Sequence, residues 1–584
     1  MPQHLHEQPS NSSPDTLLHL TINKTDTTIL NATLHSSTSI NQDNDERMLG
    51  ELSSEVGIHD EEKEFPTILD DDGGDEELIP NNGKNENSLK EKLKDLFFNM
   101  KSQFKHMIDI AFPIILMNVS NKMLGIEDLM FIGHLGNSQY MAGSALGNAI
   151  FFSLSFIAVG IISGQDTFVA QAFGAKNKPL VGVWMMRSFI TLILFLLPVM
   201  VVLFFLESIL NLVGMDEVTS HLSGQFVRYL LPGLIPFAFS RSTARFLTSV
   251  NIRLPNTLIP IAAVIVNFGL NWLFVFGIGF KGIGFLGAAI ATTLTRLFII
   301  FSYIYVLFHH RENIREILIG AMKWDEVFKW EGGFKVFFKQ AIPGTIGVCA
   351  EVWAFEFTTI VASFISAVQV AAHSIVFNIA SLSFMLPLAL SNASCVMVGQ
   401  KLGSNDPSGA KYAAYLCIFS SVVCMSVSGT IIGICSRWIP LLYTTDESVR
   451  SVASSILPII SVFAIVDGIQ RTSTGVLRGA SSQFLTMILN LIAYYLFSLP
   501  VSSLLAFVAK LELLGLWLGL TSCMVLMAVI VLIYIIFRID WVKEARIAHE
   551  RANKIIVKTE KSEQETNSNT SNTQEEEETR IANP

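Results

Sequence analysis

The stretch Phe168-Val-Ala-Gln171-Ala-Phe-Gly174-Ala-Lys-Asn177 is echoed 229 residues later by Val396-Met-Val-Gly-Gln400-Lys-Leu-Gly403-Ser-Asn-Asp406. A second pair, Gly287-Ala-Ala-Ile and Gly515-Leu-Trp-Leu, is 228 residues apart, so one offset holds over most of each half. Both copies lie in apolar segments of membrane length. A duplicated polytopic membrane protein has the build of a transporter, because two similar bundles that rock against each other expose one central site to either side in turn.

Composition agrees. Hydrophobic residues make up 51% of the 584 residues and charged ones 15%, against roughly 25% charged in a soluble domain. The net charge of −10 comes from the ends: residues 1–90 hold 19 acids and 5 bases, residues 539–584 hold 10 acids and 7 bases, and the region between is +7. Residues 1–95 are rich in Ser, Thr, Asn and acids and lack hydrophobic periodicity, so they are expected to form a disordered acidic tail. Runs such as Asp70-Asp-Asp-Gly-Gly-Asp-Glu-Glu77 and Glu575–Glu578 read as solvating tails. No basic start followed by an apolar stretch opens the chain, so no cleaved signal peptide is expected. The six cysteines sit in apolar runs without Cys-x-x-Cys spacing and read as small core residues. Neither a metal nor a cofactor is expected, and nothing points to nucleic acid.

Segments able to cross roughly 30 Å of hydrocarbon fall near 107–133, 142–170, 183–210, 222–248, 256–278, 284–308, 336–365, 369–398, 412–442, 448–474, 484–508 and 512–537. In lipid a backbone must satisfy its own hydrogen bonds, so these are read as helices. The expected fold is an all-α membrane protein with 12 transmembrane helices in two pseudo-symmetric six-helix lobes. The N-lobe covers 96–308, a linker 309–335, the C-lobe 336–538 and a tail 539–584. Lys and Arg concentrate in loops after even-numbered spans (Lys176, Lys178, Arg253, Arg311, Arg315, Lys323, Lys329, Lys401, Lys411, Arg478), which places those loops and both termini in the cytoplasm. The Asn-x-Ser/Thr triplets at Asn11, Asn23 and Asn31 are then expected to be unglycosylated. Met322–Trp330 reads either as a mixed-charge interfacial helix beneath both halves or as a plain linker.

Acids inside spans are functional candidates because they are costly to bury. Four stand out: Asp128 in span one, Glu351 and Glu356 in span seven, and Asp467 in span ten. Five helical residues correspond to roughly 140° of net rotation, so Glu351 and Glu356 need not face one cavity. A carboxylate among apolar side chains alternates between protonated and charged forms, as a proton-coupled antiporter requires: the charged form attracts a cationic substrate and protonation releases it. The competing reading is a structural ion pair, for which Arg471 lies four residues from Asp467. Trp353, Phe355 and Tyr494 are candidates to stack on a flat organic cation. Asn267, Asn271 and Asn490 are candidates to hydrogen-bond it or a carboxylate.

At these residues the chain resembles the multidrug and toxic-compound extrusion (MATE) family of eukaryotic type. The motifs are Phe131-Ile-Gly-His-Leu-Gly136, Gln171-Ala-Phe-Gly-Ala-Lys176, Cys349-Ala-Glu-Val-Trp-Ala-Phe-Glu356, Val398-Gly-Gln-Lys-Leu-Gly403, Asp467-Gly-Ile-Gln470, Gly475-Val-Leu-Arg-Gly479 and Asp540-Trp541, in family order through residues 100–550. The resemblance implies two lobes around a cavity that opens alternately to either face, and export of organic cations, drugs, alkaloids or organic acids in exchange for H⁺ or Na⁺. It matches Glu351 and Asp467 to the acids of spans seven and ten, and Asp128 to the aspartate of the amino-terminal lobe. Two departures remove titratable groups: Asn378 stands where eukaryotic relatives carry a further Glu, and Asn267 to Asn271 has amides where some prokaryotic members have Asp. Asn378 therefore joins the candidate cavity.

The leading expectation is a non-enzymatic, H⁺-driven exporter of small organic cations or xenobiotics, resident in the plasma membrane or a vacuolar or vesicular membrane and monomeric by default. Na⁺ coupling is the alternative, since carboxylate and amide oxygens also bind that ion. A lipid-linked saccharide flippase predicts a strongly basic cavity, whereas these spans carry acids. A membrane-embedded enzyme would need a convergent catalytic set, and His134, His221 and His373 are scattered over different spans. An ATP-driven pump would need a Gly-x-x-x-x-Gly-Lys-Ser/Thr loop, which the chain lacks.

Overall fold

The computed structural model describes residues 82–553 except 278 and 280, with side chains from residue 101 onward. Most of the expected acidic tail, its glycosylation triplets and the end of the chain lie outside these residues. The tail boundary itself is corrected: the first helix begins at Asn82 and runs to Gly133. The architecture is all-α, and 11 helices among the described residues are long and apolar enough to cross a membrane.

The twelfth, expected at 222–248, is present in two segments, Glu217–Leu230 and Leu234–Ser249, joined by a 3₁₀ turn at Leu231–Gly233. Pro232 in that turn removes a backbone donor and breaks the α pattern. The span is the least apolar of the set because it carries Arg228, Arg241 and Arg245. Span five (Leu254–Asn271) and span eleven (Gln483–Leu491 and its continuation) both end in π-helical turns, Trp272–Phe276 and Leu504–Val508. Gly287 and Gly515 press against these turns at Phe274 and Leu505, so the second repeated pair has one structural role in both halves.

The first repeated pair shows why its residues recur. Each copy closes a span, at Gly174 and at Gly403. Each then turns through one left-handed residue, Lys176 (φ 59°) or Asn405 (φ 58°). An Asn or Asp follows and caps the next helix: Asn177 accepts from Leu180 N at 3.1 Å and Asp406 from Gly409 N at 2.7 Å. Pro179 and Pro407 sit in the first turns beyond, where a missing N–H costs nothing.

These turns form the seam between the halves. A Cβ on Gly174 would collide with the Gln400 carbonyl, and a Cβ on Gly403 with the Gln171 carbonyl. Lipid supplies no hydrophobic drive for helix association, so close approach through small residues and polar bonds does the work. Gln171 Nε2 donates to Gly479 O at 2.9 Å and Gln400 Nε2 to Ser249 O at 2.8 Å. Span two continues the seam through Gly160 against Thr345, Gly164 against Ala341, Ser163 with Gln483 and Thr167 Oγ1 to Arg478 O. Among the described residues, the bonds span two makes to the second half all come from residues 160–174, the half of the helix nearer the even-numbered loops.

Two expectations outside the spans change. The linker does not form one helix over Met322–Trp330; it forms Arg315–Ala321 and Trp324–Val327, broken at Met322 and Lys323. These pack on span three of the first half: Gly320 meets Pro179, Gly182 meets Ile317, and Arg187 donates to the carbonyls of Val327 (3.1 Å) and Glu326. The tail expected from residue 539 opens as a helix over 541–553. Its buried face is Trp541, Ala545, Ala548 and Ala552. That helix spans the seam: Arg551 donates to Gln171 Oε1 and Ser481 Oγ, each at 3.1 Å, His549 Nδ1 meets Gly403 O at 2.9 Å, and Asn177 donates to Ala552 O at 2.7 Å.

Candidate functional site

Span ten (Glu447–Gly479) puts Asp467 and Arg471 one turn apart, hence on one face. Arg471 Nε donates to Asp467 Oδ1 at 3.0 Å, and Arg471 Nη2 donates across to Glu351 Oε1 on span seven (Lys335–Ser363). Tyr494 Oη on span eleven donates to the same Glu351 oxygen at 3.1 Å. The guanidinium lies 3.8 Å from the ring centroid of Phe384, at the break between the two segments of span eight. Exposure is 9% for Glu351, 3% for Asp467 and 7% for Arg471. The ion pair weighed for Asp467 therefore exists and extends to Glu351: two carboxylates share one guanidinium, so with both ionised the group has one negative charge in excess. One proton or one monovalent cation brings it to neutrality.

A second cluster lies in the first half. Asp128 Oδ1 accepts from Asn271 Nδ2 at 2.9 Å and from Asn267 Nδ2 at 3.3 Å, and Oδ2 accepts from Thr292 Oγ1 at 2.5 Å. Asn267 Nδ2 also donates to Glu127 Oε2 at 2.9 Å, and Thr295 Oγ1 donates to Asn267 Oδ1 at 3.0 Å. The helix of span one aims Glu127 and Asp128 at spans five and six, so the two amides sought as cavity groups are spent on carboxylates.

The remaining predicted residues divide. Phe355 belongs with the second-half cluster, its ring centroid 6.2 Å from both Tyr494 and Phe463. Asn490 donates to Gly347 O at 2.9 Å and ties span eleven to span seven. Glu356 faces away from Glu351, as their rotation requires, and the charge opposite it is Lys122 of span one, in the other half. Trp353 is 39% exposed on a stripe with Ile346, Phe357, Ile360 and Phe364 and does not reach the cluster. Asn378 is exposed and donates within its own helix to Ser374 O at 2.9 Å.

Sequence reasoning passed over Glu127, over Asp166 with its partner Arg245 at 3.4 Å, and over the buried Arg187. All four lie inside the expected spans. Counting bases as well as acids within each apolar segment would have found them, and it shows that the first half is not simply acidic.

The family model MatE matches residues 113–273 and 343–504, once in each half. Multidrug and toxin extrusion protein 2 of Oryctolagus cuniculus is 30% identical over 451 residues, covering 76% of this chain and 71% of the relative. Protein DETOXIFICATION 38 of Arabidopsis thaliana is 27% identical over 464 residues, covering 78% and 89%. The crystal structure of the eukaryotic MATE transporter AtDTX14 superposes with a TM-score of 0.72 at 26% identity, over 78% of this chain and 99% of that one.

Proposed function

The chain belongs to the MatE family of multidrug and toxin extrusion transporters, and from that premise we propose that it is a secondary antiporter exporting small organic cations or xenobiotics in exchange for H⁺. The observation that carries this reading is the sharing of Arg471 between Glu351 and Asp467. With both acids ionised the group holds one negative charge in excess, which attracts a cationic guest. When a proton enters, one carboxylate becomes neutral, the excess vanishes and the guest loses its counter-charge. Because Glu351, Asp467 with Arg471, and Tyr494 stand on spans seven, ten and eleven, a change in which partner holds Glu351 acts on three helices at once. Such a coupled change is what alternating access needs.

The excess of Lys and Arg in the even-numbered loops supports a topology with those loops and both termini in the cytoplasm. With that orientation, the Gln171 and Gln400 seam lies on the cytoplasmic side, which supports reading this conformation as closed toward the cytoplasm. The aromatic group of Phe355, Phe463 and Tyr494 beside the acids supplies ring surface for a flat cation.

The test is uptake of a fluorescent cation into proteoliposomes under an imposed pH gradient or an imposed Na⁺ gradient. Glu351→Gln and Asp467→Asn are expected to abolish gradient-driven movement while the protein still inserts; normal transport by both variants overturns the assignment. One observation favours Na⁺ coupling as a second reading: Asn271 Oδ1 is buried without a partner beside Asp128 and Glu127, an oxygen-rich setting suited to a hard cation. Transport driven by Na⁺ alone and lost in Asp128→Asn would select it.

A further inference from the structure

We propose that the first half contains an anion-binding site between Arg241 of span four and Arg296 of span six. The inference goes beyond the antiport reading and does not depend on it, since it concerns groups that the acid cluster never touches. Both guanidiniums flank one ring: Arg241 lies 5.1 Å and Arg296 5.3 Å from the centroid of Phe237, and Arg296 is also 4.6 Å from that of Phe151. Together with Ser120, Asn121, Ser240 and Tyr303 they line a cavity of about 20 Å³.

What sets these two apart is the lack of a hydrogen-bonding partner. Arg245 has Asp166, Arg471 has Glu351 and Asp467, and Arg187 has two backbone carbonyls. Among the described residues, Arg241 and Arg296 form no ion pair and no hydrogen bond, and Arg241 Nε and Arg296 Nη1 are buried without a partner. Asp128 is the acid whose charge acts on Arg296, but no ion pair or hydrogen bond joins them; its oxygens accept from Asn267, Asn271 and Thr292. Arg241 is flanked by further positive charge from Arg245 and Arg296.

Both side chains are half-buried, but a buried N–H left without a partner is unfavourable, and two guanidiniums of like sign around one ring repel each other. A bound anion removes both penalties. The guanidinium carbons lie beside the rings of Phe237 and Phe151, and the unpartnered N–H groups remain to donate to a carboxylate or halide. The cavity admits about one water-sized group, which selects a monatomic anion or the oxygen end of a carboxylate. The ligand class is therefore a single small anion: chloride held as a resident ion, or the carboxylate of an organic-acid substrate.

The experiment measures binding of radiolabelled chloride and of radiolabelled acetate to the purified full-length protein in detergent, without any gradient. Wild-type protein is expected to bind saturably, and Arg241→Gln and Arg296→Gln each to weaken binding about tenfold to a hundredfold, the effect of losing one charge-assisted hydrogen bond. Arg241→Lys and Arg296→Lys, which keep the charge, are expected to retain more affinity than the Gln variants and serve where a Gln variant does not fold. Chloride binding that acetate cannot displace supports the resident ion; acetate binding that chloride displaces supports the substrate carboxylate. Absence of saturable binding of either anion to wild-type protein overturns the site, as does affinity unchanged in both Gln variants. Because no transport is measured, failure here leaves the antiport reading standing, and failure of the antiport test leaves this site standing.

Discussion

Gln171 and Gln400 hold equivalent places in the two halves, and each sends its side-chain amide to the last turn of a span in the opposite half, Gly479 O at 2.9 Å and Ser249 O at 2.8 Å. The pair is related by the same offset as the sequence repeat. A pseudo-twofold axis therefore runs through the seam, and disturbing either glutamine has a counterpart in the other.

Gln171→Ala and Gln400→Ala are each expected to lower the free energy of unfolding by about 1–3 kcal/mol, the cost of stranding a buried acceptor. Thermal unfolding in detergent checks this. Gly174→Val and Gly403→Val go further, because the added atoms meet a backbone carbonyl that cannot step aside. Those variants are expected to hold the seam open, seen as faster maleimide labelling of a cysteine placed at Thr167.

Removing the shared cation tests the second-half cluster. Arg471→Met leaves Glu351 and Asp467 buried without their partner, and breaking such a group costs about 3–5 kcal/mol. The triple variant Glu351→Gln, Asp467→Asn, Arg471→Met restores stability by removing every charge, yet remains inactive in the proteoliposome assay. Recovery of stability without recovery of transport separates the electrostatic role from a packing role.

Asp406, which starts span nine, gives a pH signature. Burial works against its ionised form, but the Lys401 ammonium at 2.8 Å, the Gly409 N–H and the Ser408 hydroxyl outweigh it and hold the carboxyl below its ordinary value. A depressed folded-state pKa contributes stability above the unfolded pKa, and that contribution disappears as pH falls through the folded one. Asp406→Ala is expected to cost about 0.5–2 kcal/mol at neutral pH. The difference from wild type narrows as pH drops below the ordinary carboxylate range. Melting curves of both proteins across that range provide the measurement.

Truncation after Asp540 removes the helix that bridges Gln171, Gly403 and Ser481. The truncated protein is expected to insert but to melt at lower temperature, and Arg551→Ala is expected to reproduce part of the loss. An unchanged melting temperature in both would show the helix to be a passenger.

Much of this was legible before any coordinates. The offset between Gln171 and Gln400 carried the two-lobed fold, since residues that close a seam by symmetry must recur. Span four was legible by length but blurred by Arg228, Arg241 and Arg245, whose charges lower apolarity without preventing burial. Asp467 and Arg471 were readable as neighbours because one turn of helix joins them. That Glu351 shares the same guanidinium depends on where spans seven and ten cross, and no local pattern reports a crossing. The linker misled for a related reason: Met322–Trp330 has helical composition, but the close approach of Gly320 to Pro179 fixes the chain on span three and ends the preceding helix there. That Trp353 and Asn378 stand exposed and apart from the acid cluster was not legible, because side-chain chemistry does not say which way a helix is turned.

The clasp made by residues 541–553 has a bearing on biogenesis. Both six-helix bundles precede Arg551 in the chain, so the bridge from Arg551 to Gln171 and Ser481 is added only after the two halves have been made. Quality control at the membrane thus meets a protein whose two halves are made before their clasp, and a premature stop at residues 538–540 yields a chain with every span in place but without that clasp.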